Sequence, residues 1–119
     1  MQPEMKLGPS LRLNASAVLD KTLDDWSTEI VMAIATEGKK RSDTGRMDCT
    51  VKIDVPPIII TLRPNEREVI RKVMNVLCID QDLTYIVWEM KYKLTYQVPD
   101  SAYLEITANW SEPRQKKPT

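Results

Sequence analysis

The chain of 119 residues carries 17 basic and 17 acidic side chains, two cysteines and no histidine, with 42% hydrophobic and 29% charged residues. That length predicts one domain whose core needs no staple. Charge balance argues against a protein that coats nucleic acid through counterion release, and the missing histidine removes the commonest general base and the usual partner of a Ser or Cys nucleophile.

The start of the chain, with Pro3, Gly8 and Pro9, reads as an extended arm over residues 1–13. Leu11 and Leu13 alternate with Arg12 at its end and suggest a short edge strand. A helix is predicted over 16–37, because Leu19, Leu23, Trp26, Ile30 and Ile34 form one stripe at helical spacing. Asp20, Asp24 and Asp25 fall in its first half, where carboxylates suit the helix dipole. Gly38 is the expected stop, followed by Lys39, Lys40 and Arg41.

After a polar loop, Cys49, Val51, Ile53 and Val55 alternate with polar residues as a half-buried strand does. Pro56-Pro57 suits no tight hairpin, so one bent strand over 47–62 is expected, resuming at Ile58 with its inward phase shifted. A second helix is expected over 65–78, with Asn65 capping it and Glu68 reaching back. The string Leu62-Arg63-Pro64-Asn65-Glu66-Arg67-Glu68-Val69-Ile70-Arg71 resembles the opening helix of the helix–turn–helix domain in LuxR-type regulators. The resemblance ends there, because the chain runs on into a strand where those domains continue with further helices.

The last third alternates most clearly. Trp88, Met90, Tyr92, Leu94, Tyr96 and Val98 stand against polar neighbours, and Leu104, Ile106, Ala108 and Trp110 do the same. This predicts a hairpin of strands 84–98 and 102–111 closed by Pro99-Asp100-Ser101, pairing Leu94 with Ile106 and Met90 with Trp110. Residues 112–119 form a basic tail. The expected fold is α+β: one domain over 14–111, two layers, with an antiparallel sheet (the bent strand and the hairpin) under two helices.

Functional motifs are sparse. Gly8, Gly38 and Gly45 make no phosphate-binding pattern, and Asp80-x-Asp82 lacks the remaining ligands of a calcium loop. Cys49 and Cys78 fit neither zinc spacing nor a Cys-x-x-Cys redox pair. No cofactor, metal or catalytic residue is expected, and the chain reads as non-enzymatic. Lacking a run of membrane-span or signal-peptide length, it is expected in the cytoplasm, or in host cytoplasm or the virion if viral.

Two functional expectations remain. The first is a protein–protein interaction or assembly subunit, a homo-oligomer or part of a larger assembly, of a type that suits a phage or viral structural or accessory protein. Its interface is expected at the sheet edge and arm, through Leu11, Leu13, Trp88, Tyr103 and Trp110. The alternative is a nucleic-acid-binding module that uses the loop 39–46 and the tail, through Lys39, Lys40, Arg41, Arg46, Arg114, Lys116 and Lys117, with Tyr103 as a stacking platform.

Overall fold

A computed structural model of the chain describes residues 6–62, 65–95 and 98–112. The elements run α1 (Leu7–Ser42), β1 (Asp48–Asp54), α2 (Pro57–Ile60), α3 (Glu66–Asp80), β2 (Tyr85–Thr95) and β3 (Val98–Asn109). The strands form an open antiparallel sheet in the order β1-β3-β2. Cys49, Ile53, Met90, Leu104 and Ile106 are buried on one face of it, together with Trp26, Ile30 and Ile34 of α1 and Ile70, Met74 and Leu77 of α3. Helices therefore cover a single face, and the fold is α+β in two layers, as the alternation implies.

The extended arm is not observed over residues 7–13, which are the opening turns of a helix of 36 residues. Proline at the third helical position is tolerated because the first N–H groups of a helix have no partner inside it. Ser10 N–H donates to the Lys6 carbonyl at 3.1 Å and closes the first turn just past Pro9. Leu11 and Leu13 thus stand on a helix rather than an edge strand. Asp20, Asp24 and Asp25 come to lie mid-helix, beyond reach of the dipole's positive end.

Gly38 does not stop α1. The helix runs through it, and the ring of Trp110 lies against the position a Cβ would take, with Cη2 at 3.4 Å. The stop is Gly45, whose φ is +84°. Gly45 N–H donates to the Ser42 carbonyl at 2.9 Å and Arg46 N–H to the Arg41 carbonyl at 3.0 Å, the paired bonds of a Schellman ending. A Cβ at Gly45 meets no atom within 4 Å, so only its left-handed conformation resists substitution. Gly45→Ala is expected to destabilise the fold by about 1–2 kcal/mol, read as a lowered urea midpoint with an unchanged slope.

β1 ends at Asp54, and the bent strand predicted over 47–62 is not continuous. Val55 N–H still reaches the Ala102 carbonyl at 2.9 Å, but Pro56 and Pro57 have no N–H to extend the ladder. Pro57 instead begins the single turn α2, at the helical position where proline is most at ease. Ile59 is thereby carried into the core, wholly buried.

α3 begins one residue after Asn65, but the Asn65 side chain makes no capping bond. Glu68 does not reach back either; it pairs forward with Arg71, whose Nε lies 3.2 Å from its carboxylate. At the other end the helix runs two residues past the expected Cys78. Asp82 takes a φ of +51° there, and Leu83 N–H bonds back to the Cys78 carbonyl at 3.0 Å. This repeats the ending of α1, with an aspartate in the glycine's place.

The hairpin differs from expectation in its turn and keeps its faces. Tyr92 lies opposite Ala102, Met90 opposite Leu104, Trp88 opposite Ile106 and Ile86 opposite Ala108. From Tyr85 to Lys93 the strands have slid by an even number of residues relative to the predicted register, so each residue there keeps its predicted face; a register shift follows between Lys93 and Leu94. Pro99 lies inside β3, opposite Leu94. It is tolerated because β1 stops pairing at Tyr103, leaving that end of β3 bonded on one side only. The predicted partner of Leu104, Tyr96, lies outside the described residues, as do residues 113–119 of the basic tail.

Candidate functional site

Three surfaces are built by this fold. The first is the leading part of α1. Residues 7–18 are all exposed, and the side chains of Leu7, Leu11 and Leu13 keep 74%, 57% and 61% of their surface in solvent. At 1.5 Å per residue the whole helix is about 54 Å long. It outruns the sheet it packs on, and its core stripe starts only near Leu19. The sequence signal for this segment, Gly8 and Pro9, is read equally well as an arm or as a first turn.

A groove between α1 and α3 forms the second surface. It encloses about 540 Å³ and is lined by Val31, Met32, Val73 and Val76, with Asp24 and Asp80 among its polar residues. A neighbouring hollow continues it past Gly38 and Leu83 to Trp110. Trp110 is half-buried, and its backbone N–H donates to the Met47 carbonyl at 2.9 Å. Sequence reasoning missed this groove, since it arises where two helices splay over a shared sheet.

The third surface is the sheet's edge and open face. Trp88 sits half-buried on β2 under the guanidinium of Arg67, 5.1 Å from the ring centre. The two tryptophans expected in one interface are therefore apart, Trp88 packed with α3 and Trp110 with α1. Tyr103 points to the open face between Lys52 and Lys93, each with its Nζ 5.7 Å from the ring centre. Lys93 also lies 3.5 Å from Asp54, and Lys91 lies 3.2 Å from Glu105. The Glu105 hydrogen bond, then its charge, raises the Lys91 ammonium above its ordinary range.

The loop cations do not form a bare basic patch. Lys39, Lys40 and Arg41 occupy the last turn of α1, where positive charge suits the dipole. Lys39 pairs with Asp43 at 3.6 Å, Arg41 with Glu37 at 3.7 Å and Arg46 with Asp48 at 3.8 Å. Arg114, Lys116 and Lys117 lie outside the described residues.

Both cysteines are buried and unbonded to each other. Burial pushes the Cys49 thiol above its ordinary range, with the Glu37 carboxylate adding to the effect, so it is kept from the thiolate form that reacts. Among the described residues no group of three or more Cys, Asp or Glu gathers as a metal site, and no helix is long and apolar enough to cross a membrane. Comparison with protein-family models, curated proteins and solved structures finds no match.

Proposed function

We propose that this chain is a non-catalytic interaction subunit that assembles with further copies of itself through the leading segment of α1 and the border of its sheet. The observation that carries this reading is the exposure of every residue from 7 to 18 along a continuous helix. An unsupported helical end of that length is marginal in water, and Gly8, Ser10, Asn14 and Ser16 are poor helix formers. Leucines left in solvent on such a segment gain most from a protein surface that covers them.

The same chain offers a suitable receptor. The groove between α1 and α3 is apolar along its floor and carries two acids, Asp24 and Asp80, against one lysine, Lys72. Residues 6–19 carry Lys6 and Arg12 and no acid. An apolar helix face laid in an apolar groove is a recurrent mode of recognition, and opposite charges at the border would set its direction. The ion pairing of Lys39, Arg41 and Arg46 gives the nucleic-acid alternative no comparable support. Neither Cys49 nor Cys78 is joined in a disulfide, which supports a cytoplasmic setting.

Replacing Leu7, Leu11 and Leu13 together by Gln tests the reading in the full chain. The three sites are exposed and glutamine keeps the helix propensity of leucine, so the melting temperature is expected to hold. Sedimentation is expected to show the parent above monomer mass and the variant reduced to a smaller species. Equal masses for the two chains at every concentration would end the proposal.

A further inference from the structure

We infer that β2 pairs antiparallel with β2 of a second copy of this chain, joining two three-stranded sheets into a continuous one ordered β1-β3-β2-β2-β3-β1. The inference rests on the reading of the chain as a self-assembling subunit and adds a contact distinct from α1. β2 is an edge strand of 11 residues, whereas β1 at the other edge has seven. An edge presents a row of N–H and C=O groups to any strand that can match it.

What matches it is the strand itself. Centre the pairing on Met90, so that Met90 faces Met90 of the second copy. Trp88 then faces Tyr92 on the helix-covered side, an aromatic cross-strand pair in both halves. On the open side Glu89 faces Lys91 twice, and Val87 faces Lys93. Tyr85 falls opposite Thr95, so the whole span of β2 is used. A two-fold axis through Met90, perpendicular to the sheet, produces this and keeps both helical layers on one face.

Other registers are penalised. Sliding one residue puts helix-side residues opposite open-face residues. Sliding two residues brings either Glu89 against Glu89 or Lys91 against Lys91, and like charges directly opposite are destabilising. Charge therefore selects one register and opposes its nearest rivals, as specific interfaces do.

The single chain also leaves a mismatch that the pairing relieves. Glu89 lies directly opposite Glu105, and Lys91 takes Glu105 at 3.2 Å. Among the described residues Glu89 forms no ion pair. The second copy places a lysine opposite it. An edge of this length is smaller than a standard interface of about 20–30 residues a side, so a reversible dimer is expected.

Sedimentation velocity on the full chain across a wide concentration range tests the pairing at its charges. Glu89→Lys sets two lysine pairs face to face and is expected to weaken dimerisation by about tenfold or more. Its fold should hold or gain, because the introduced ammonium then opposes Glu105 in its own sheet, and thermal unfolding checks this. The double swap Glu89→Lys with Lys91→Glu restores opposite charges across the axis and should dimerise within a few-fold of the parent. A monomeric parent, a Glu89→Lys chain that dimerises like the parent, or a double swap that stays monomeric would each overturn the inference. If Glu89→Lys changes nothing while the Leu7, Leu11 and Leu13 replacement dissolves the assembly, the edge contact alone fails. Should every chain stay monomeric, the assembly reading fails with it.

Discussion

Trp26→Ala is expected to cost the fold about 3–5 kcal/mol, the usual range for emptying a large aromatic site in a core. Trp26 keeps only 2% of its surface, and its Nε1–H donates to the Asp54 carbonyl at 3.0 Å. The ring thus ties the middle of α1 to the last residue of β1, where the strand yields to Pro56-Pro57. Against a total stability of about 5–15 kcal/mol, the loss approaches unfolding. Trp26→Phe keeps most of the packing, gives up the hydrogen bond and should cost far less. Urea titrations followed by far-ultraviolet circular dichroism give both values. A Trp26→Ala loss under about 1 kcal/mol would mean that α1 is not anchored here, and the account of its leading segment as an overhang would go with it.

What the sequence made legible was periodicity, and what it hid was where periodicity stops. The stripe Trp26, Ile30, Ile34 identified the buried face of α1, because its spacing admits one geometry. The ends of α1 did not follow from it. Gly8 and Pro9 suit a loop and a first turn alike, since neither state asks for the proline's missing N–H. Gly38 and Gly45 are both plausible stops, and only the structure shows which has the left-handed φ. Gly38 has another use, as a gap on the helix surface that receives the Trp110 ring.

Alternation in β2 and β3 likewise fixed which face is apolar and left the turn open. Any even slide keeps every side chain on its side, so Pro99-Asp100 had no stronger claim than the residues before it. What placed Pro99 within a strand was the early end of β1, a feature of sheet order that local pattern cannot carry. The candidate interface residues fared according to the same rule. Trp88 and Trp110 share a parity that marks both as belonging to the apolar face. The sheet sends one to α3 and the other to α1. Leu11 and Leu13 kept their exposure and changed their element. The groove between α1 and α3 left no local signal, because it belongs to two helices packed on different strands.

The segment Pro56–Leu62 offers the sharpest test of structure against pattern. Isoleucines in sequence favour a strand, and a strand that resumes after the two prolines with its inward phase shifted would bury Ile58 and Ile60 and expose Ile59. In α2, Ile59 is wholly buried and Ile58 and Ile60 are half-buried. The turn is held by Ile59 N–H to the Pro56 carbonyl at 3.0 Å and Thr61 N–H to the Pro57 carbonyl at 3.1 Å. Ile59→Ala is therefore expected to cost about 2–5 kcal/mol, whereas Ile58→Ala and Ile60→Ala should each cost well under half as much. A strand burying Ile58 and Ile60 would reverse that order. Chemical denaturation of the three variants decides it, and a ranking with Ile59 lowest would return Pro56-Pro57 to a bend in a longer β1. Trp26 is bonded to Asp54 just before this turn, so its variants and those of Ile59 probe one corner of the core from opposite sides.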